Sequence, residues 1–440
     1  MPSAEHVARD TIAALATPSG RGGIGIVRIS GPAVLRIAQV LLGQLPVPRH
    51  ATLTKFRDAR GQLLDQGLAL YFPGPHSYTG EDVLELQGHG GTVVMQMLLG
   101  ACLDVGARLA EPGEFTRRAF LEGRLDLAQA EAVADLIDAA SREAARSALR
   151  SLSGEFSAAI EALRAGLVEL RALTEAQLDF PEEELDQLHR GASAQRLAAV
   201  RAALNEVLAK SRQGSLLRNG VHVVLAGRPN VGKSSLLNCL AGEERAIVTP
   251  IPGTTRDALR EPIHIEGVAV MLVDTAGLRV SSDEIEQLGM ARTHQELEHA
   301  DVVLAVYEAG VQSQPLRKLP EVARIDVHNK VDLRPGFEAP PGAFAVSAKT
   351  GEGLAELRQA ILRAAGWSAT GESVFLARER QLRALNAAEA HLARAAAEQA
   401  RWELFAEELR LAHDELAAIT GAFTPDDLLG EIFGRFCIGK

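Results

Sequence analysis

"VHVVLAGRPNVGKSSLLNCLAG", residues 221–242, decides the fold of everything around it. The apolar run at its start reads as a strand buried on both faces, and the text after the two serines reads as a helix. Between them, GRPNVGKS matches GxxxxGK[ST] from Gly227 to Ser234. In that pattern the glycines let backbone N–H groups face phosphate oxygens, the lysine neutralises β/γ charge and the serine hydroxyl ligates Mg²⁺. Alone, the match also describes a glycine turn ahead of a helix. The strand before it and the helix after it favour a phosphate loop, with Asn230, Val231, Gly232, Lys233, Ser234 and Ser235 as its nucleotide-binding residues.

Downstream text extends the site. "DTAG" (Asp274, Thr275, Ala276, Gly277) follows the apolar run "VAVMLV", placing Asp274 at a strand end, where a carboxylate can hold the metal. "NKVD" contributes Asn329, Lys330 and Asp332, and "SAK" contributes Ser347, Ala348 and Lys349. Asp332 can accept two hydrogen bonds from a base with adjacent N–H and NH₂ donors, which guanine has and adenine lacks. A site built on such bonds rejects the wrong partner by about 10⁴-fold, so the expected substrate is GTP. The intervening "TPIPGTTRD", residues 249–257, reads as a mobile switch loop: Thr249, Pro250, Ile251, Pro252, Gly253, Thr254 and Thr255. Thr255 is the second expected Mg²⁺ hydroxyl after Ser234, Gly253 permits close approach to the γ-phosphate, and Pro250 and Pro252 stiffen the loop. Leu278 follows "DTAG" where Ras-like enzymes carry a water-orienting Gln, so hydrolysis must be completed by another group.

Outward from this segment the composition changes three times. Residues 1–120 alternate apolar runs with glycine. There "GGIGIVRISG", "GLALYFPG" and "DVLELQGHGG" read as strands, and "PAVLRIAQVLLG" and "TVVMQMLLGACLDVG" as helices of a mixed α/β domain. Residues 121–218 are rich in Ala, Leu, Glu and Arg. Val133, Leu136, Ile137, Ala140 and Ala144 predict one amphipathic stripe, with Pro181 and Gly191 dividing the stretch into several helices. Residues 219–368 alternate strand and helix as a doubly wound domain, and residues 369–440 return to helical text. The expected fold is thus α/β and α: a helical domain interrupted by an inserted Ras-like GTPase domain, behind an N-terminal α/β domain.

Global composition bounds the function. The chain has 440 residues, 47% hydrophobic and 23% charged, which is ordinary for folded protein with real cores. Cys102, Cys239 and Cys437 have no CxxC or His-spaced partner, which predicts neither disulfides nor zinc and suits a reducing cytoplasm. The first residues lack a secretory pattern, and no apolar run approaches the roughly 18 residues a membrane span needs. A net charge of −11 argues against non-specific nucleic-acid binding, so any RNA role needs a local patch or a basic partner.

With "GTTRD", the helical flanks and the tail "FCIGK" (436–440) in view, the chain resembles the bacterial tRNA-modifying GTPase family called MnmE or TrmE, from "GRGGIGIVRISG" to its last residue. The resemblance implies an N-terminal tetrahydrofolate-binding and dimerisation domain, a homodimer, and a flavoprotein partner, MnmG. It also implies carboxymethylaminomethyl or aminomethyl modification at C5 of the tRNA wobble uridine, U34, from 5-formyl- or methylene-tetrahydrofolate. It places K⁺ on Asn230 and on the backbone of Thr249, Ile251 and Thr254, where a cation near the bridging oxygen replaces an arginine finger. Glu286, in "SSDEIEQLG", becomes the acid that positions water through a bridging water. Read without the resemblance, Glu286 is a solvated helix residue and Asn230 a helix cap.

The same resemblance places folate on Arg28, Glu85, Arg124 and Lys440. Glu85 would bridge the adjacent N–H and NH₂ of a pterin, and arginine at position 124 keeps a lysine's charge with different geometry. By strand alternation Arg28 shares a face with Ile24 and Ile26 and is expected to be buried; a strand-edge ion pair is the plainer reading. In "FTPDDLLGEIFGRF", Thr424 and Pro425 predict the start of a last helix, with Leu428, Leu429, Ile432, Phe433 and Phe436 as its apolar stripe. The tail then carries Cys437 and Lys440 toward the folate pocket, Cys437 as the candidate nucleophile. A regulatory GTPase of ribosome assembly and a mechanical, self-assembling GTPase are the rival readings, and folate binding separates them from the first.

Overall fold

The structure is a computed structural model describing residues 10–18, 20–179, 186–242, 261–274, 300–311, 322–368, 374–399, 401–422, 426–434, 436 and 439. The chain divides into two compact units, one of residues 1–134 with 413–440 and one of residues 135–412.

The first unit is built on a sheet of six strands: β1 (Thr11–Leu15), β2 (Ile24–Ser30), β3 (Thr52–Arg57), β4 (Leu63–Phe72), β5 (Val83–His89) and β6 (Ala107–Leu109). Their order is β3-β4-β5-β2-β1-β6, antiparallel except for the parallel β1–β6 pair. Helices α1 (Val34–Leu42) and α2 (Thr92–Asp104) cover one face, closing Ile37, Leu41, Met95 and Leu98 over Val27, Ile29, Leu84 and Leu86. The other face is only partly covered. Phe115 of α3 (Glu114–Leu121) packs there with Ile12, Ala14 and Tyr78, whereas Ile24 and Leu53 are each 67% exposed. After α4 (Leu127–Ile137), the last described helix of the chain, Asp426–Gly434, returns to this unit. Its Leu429, Ile432 and Phe433, with Phe436 beyond, pack on Leu127, Ala130 and Phe120. The predicted stripe is present; its proposed cap, Thr424 and Pro425, lies outside the described residues.

The second unit joins a helical layer to a second sheet. Helices α5 (Arg142–Leu152), α6 (Glu155–Asp179) and α7 (Asp186–Asn219) lead into β7 (Val221–Ala226) and α8 (Lys233–Ala241). Then come β8 (Glu261–Ile265), β9 (Val268–Asp274), β10 (Val302–Glu308), β11 (Ala323–Asn329) and β12 (Phe344–Ala345). The order is β12-β11-β10-β7-β9-β8, parallel throughout except for the β8–β9 hairpin. Helix α9 (Leu354–Ala364) packs on this sheet, and α10 (Glu379–Ala397) returns to α7, where Arg201 pairs with Glu389 at 2.6 Å. Helix α11 (Trp402–Thr420) follows. One buried carboxylate ties the chain's path into the sheet to its path out. Asp135 accepts from Arg218, at the end of α7, at 3.0 Å and from Arg378, at the start of α10, at 2.8 Å.

Two expectations for the helical stretch are corrected. The stripe from Val133 to Ala144 is not one helix: α4 stops at Ile137, which is 48% exposed, and α5 starts afresh from Ser141. The Ser141 backbone is extended and its Oγ accepts from Ala144 N at 3.1 Å, so a cap wins over periodicity. Gly191 does not divide helices, because α7 runs through it. The cost of about 1 kcal/mol for an interior glycine is absorbed by a long helix packed on its neighbours.

Candidate functional site

The nucleotide motifs converge at the C-terminal edge of the second unit's sheet. Strand β7 lies between β10 and β9, the position where open α/β sheets bind ligands. The loop after it carries two left-handed residues, Asn230 at φ 68 and Gly232 at φ 90, the backbone pattern of an anion-binding nest. Gly232, not Asn230, is the N-cap of α8, so the cap reading of Asn230 falls; Asn tolerates the left-handed conformation and its side chain stays exposed. No larger residue fits at either motif glycine of the loop. A Cβ on Gly232 would lie 2.3 Å from Asn329 Nδ2, and one on Gly227 would lie 2.5 Å from the Val306 carbonyl oxygen.

Lys233 is 5% exposed, and its Nζ donates to the carbonyls of Gly227 at 2.9 Å and Arg228 at 3.1 Å, which hold the ammonium against the loop. Ser234 Oγ donates to Asp274 Oδ2 at 2.6 Å. With its proton committed there, the hydroxyl has lone pairs left for a hard cation, so this pair fits the oxygen chemistry of Mg²⁺. Asp274 reaches it because β9 pairs with β7 in a register that sets Asp274 opposite Leu225. Ser235 is exposed in the first turn of α8 and Val231 is buried below the loop.

Asn329, 1% exposed at the end of β11, joins the motifs. Its Nδ2 donates to the carbonyl of Val231 at 3.0 Å, and its Oδ1 accepts from Lys330 N at 2.8 Å and Ala348 N at 3.1 Å. Lys330 stretches to Glu308 of β10 at 2.9 Å. Asp332 Oδ1 accepts from Ser347 Oγ at 2.7 Å, and Ser347 Oγ in turn accepts from Lys349 N at 3.3 Å and Thr350 N at 3.1 Å. Asp332 Oδ2 has no partner among the described residues, which suits a carboxylate waiting for a base edge. Thr249, Pro250, Ile251, Pro252, Gly253, Thr254, Thr255, Thr275, Ala276, Gly277 and Glu286 lie outside the described residues.

The first unit carries a second constellation. Arg28 and Glu85 are register partners on β2 and β5, with Arg28 Nε donating to Glu85 Oε1 at 2.9 Å. Their face is partly rather than fully buried: the Arg28 and Glu85 side chains are 24% and 16% exposed and Ile24 is open, while Val27 and Ile29 point into the core. The pair therefore stands at the boundary between the covered and bare halves of the sheet. Arg28 Nη1 also meets the Gly439 carbonyl at 3.5 Å. The tail is seated there by shape, since Gly439 has φ 101 and a Cβ on it would lie 2.1 Å from the Leu15 carbonyl oxygen. Arg124 is exposed, with its Cγ 3.5 Å from where a Cβ on Gly80 would be. Cys437 and Lys440 lie outside the described residues. Sequence reasoning missed Tyr78 and Phe115, whose ring centroids lie 5.5 and 5.8 Å from the Arg28 guanidinium carbon. Only "SYTGED" (77–82), polar text around one aromatic ring, could have signalled the first. Cys102 is fully buried and its thiol is pushed up to about 12 by burial, so it is an inert core residue.

No described helix is long and apolar enough to cross a membrane. The profile of the MnmE helical domain matches residues 127–437, and that of the GTP-binding protein TrmE N-terminus matches residues 11–124. The chain is 59% identical to the tRNA modification GTPase MnmE of Azoarcus sp. (strain BH72) and 60% identical to that of Thiobacillus denitrificans. Each comparison covers 98% of both chains. It is also similar to the solved G domain of the T. maritima FeoB iron transporter, at 30% identity over 33% of this chain and 98% of that one, with a TM-score of 0.25.

Proposed function

This chain belongs to the MnmE family of tRNA modification GTPases, and on that premise we propose that it is a potassium-activated GTPase acting with the flavoprotein MnmG at C5 of wobble uridine U34. A tetrahydrofolate, 5-formyl or methylene, supplies the one-carbon unit. The parts are residues 1–120 for folate binding and dimerisation, 121–218 and 369–440 for the helical domain, and 219–368 for the GTPase.

In the GTPase, the loop from Asn230 to Ser235 and Lys233 cradle the phosphates, Ser234 and Thr255 face Mg²⁺, and Asp332 reads guanine. Asn230 and the backbone of Thr249, Ile251 and Thr254 hold K⁺, which when bound supplies positive charge beside the leaving oxygen. Glu286 positions the attacking water, the task for which Leu278 is unfit. In the N-terminal part, Glu85 accepts from the pterin, Arg28, Arg124 and Lys440 hold the rest of the folate, and Cys437 lies beside its one-carbon unit. A homodimer is supported by a row across the sheet, Leu53, Leu68, Gln87 and Ile26, in which Leu53 is 67% and Leu68 37% exposed and Gln87 and Ile26 are half-buried.

One observation carries this reading over a ribosome-assembly GTPase: the Arg28–Glu85 pair, partly buried beside an apolar ledge and touched by the tail at Gly439. A GTPase switch alone has no use for it. Calorimetric titration with 5-formyltetrahydrofolate tests the reading. Binding that Glu85→Gln weakens at least tenfold supports it, and an absence of binding to the intact chain removes folate from the account.

A further inference from the structure

The loop between β4 and β5, residues 73–82, is irregular in backbone yet pinned like a core element. Thr79 is fully buried, and its hydroxyl shares a hydrogen bond with Ser30 Oγ at 2.7 Å. Glu81 accepts from Ser30 Oγ at 2.8 Å and from Arg118 Nη1 at 3.1 Å. Gly74 N donates to Asp82 Oδ1 at 2.9 Å. What this fixed loop presents is Tyr78. Its hydroxyl shares a hydrogen bond with Thr116 Oγ1 at 2.8 Å, and Thr116 is itself fully buried on α3. Its ring, 5.5 Å from the Arg28 guanidinium carbon, also packs on the small cluster of Ile12, Ala14 and Phe115. Burial pushes the phenol's pKa up, with partial relief from Thr116 and Arg28, so the ring stays neutral.

Rested on the folate reading of this site, we propose that Tyr78 is a positioning residue that locks the Arg28 guanidinium plane and thereby sets how tightly the site takes an anionic or carbonyl oxygen of its ligand. A free arginine samples many rotamers. Here Nε is fixed by Glu85, Nη1 meets the Gly439 carbonyl, and the guanidinium carbon lies over the Tyr78 ring at 5.5 Å and the Phe115 ring at 5.8 Å, while Nη2 has no partner among the described residues. Pre-ordering one side chain lowers the cost of binding without adding a contact to the ligand. Tyr78 therefore acts through Arg28.

Calorimetric titration of the full chain with 5-formyltetrahydrofolate, using Tyr78→Leu, Tyr78→Phe and Glu85→Gln, separates the possibilities. Loss of the cation–π contact in Tyr78→Leu is expected to raise Kd about 3- to 30-fold, and Tyr78→Phe, which keeps the ring, to stay within about threefold of the unaltered chain. Unchanged thermal unfolding in both variants assigns the effect to positioning. If Tyr78→Leu binds as tightly as the unaltered chain while Glu85→Gln does not, the proposal is overturned and the folate site stands. If Leu and Phe weaken binding equally, the ring has no role and the proposal is likewise overturned. If Glu85→Gln has no effect either, the folate reading itself fails.

Discussion

The side-chain amide of Asn329 donates to the carbonyl of Val231 at 3.0 Å, so a residue at the end of β11 holds the loop after β7 in place. Its Oδ1 holds Ala348 as well, at 3.1 Å, and one buried side chain thereby braces three motifs that are far apart in sequence. Replacing Asn329 with Ala leaves these backbone groups without partners, at about 1–3 kcal/mol for each that stays dry. We expect affinity for both GDP and GTP to fall at least about 30-fold, read by titration with a fluorescent nucleotide. A change under threefold would show that the loops order without this brace.

GTP hydrolysis is expected to run faster in K⁺ than in Na⁺ at equal ionic strength. Asn230→Ala should remove the preference and leave GTP affinity nearly intact, because the proposed site holds the phosphates chiefly by the loop backbone and Lys233. Asn230 has φ 68, so Asn230→Gly is the companion variant that relieves backbone strain but also lacks the amide. Equal rates in the two salts for the unaltered chain would remove potassium from the account.

The N-terminal unit is held partly by an ionic cluster with a buried centre, Arg118 and Glu114, and an open rim, Asp10 and Arg108. Arg118, 6% exposed, donates to Glu114 at 2.8 Å, Asp10 at 2.9 Å and Glu81 at 3.1 Å, and Arg108 donates to Glu114 at 2.6 Å. Removing the central cation by Arg118→Met leaves Glu114 and Asp10 with Arg108 and Glu81 with Ser30, so the unit is expected to lose about 1–3 kcal/mol, chiefly from the buried Glu114 and Glu81. The pH dependence has a definite sign. Hydrogen bonding from Arg108 lowers Asp10 below 3.8. Burial pushes Glu114 up, but its bonds to Arg108, Glu111 N and Arg118 outweigh that and hold it below 4.5. Carboxyls that are more acidic folded than unfolded stabilise fully above about pH 4.5, and that contribution is lost as pH falls through the lowered values. Calorimetric scans from pH 7 to 3 should show the unit's melting temperature falling mainly below about pH 4.5, less steeply in Arg118→Met.

The tail offers a test that leaves the nucleotide site untouched. Gly439→Ala needs both an unfavourable φ near 101 and a Cβ 2.1 Å from the Leu15 oxygen, so the tail must leave its seat. Folate affinity and U34 modification are expected to fall at least fivefold. Retention of both would show that the tail's contact with Arg28 is dispensable.

The candidate nucleotide site's described motifs could be brought together from sequence because phosphate chemistry forces glycine, lysine and serine into a short contiguous spacing, and because each later motif ends or closely follows a strand. The strands of the N-terminal unit were less so. Three were read, but β1 and β6 are short and β3 carries Thr52, Lys55 and Arg57 on a sheet edge, where burial imposes no apolar pattern. The Arg28–Glu85 pair came from resemblance, since only strand pairing brings the two together. Tyr78 carried only the weak signal of one ring in polar loop text, because a loop's packing leaves no period. At Ser141 a cap overrode a helical stripe that spacing alone had joined.

The central claim, that this GTPase modifies wobble uridine, is tested most directly by nucleoside analysis of tRNA from a strain lacking the gene, with and without the gene restored. The account predicts that carboxymethylaminomethyl and aminomethyl derivatives of U34 disappear in the deletion, return with the unaltered chain, and fail to return with Glu85→Gln. U34 modified to the same extent in the deletion strain would contradict it.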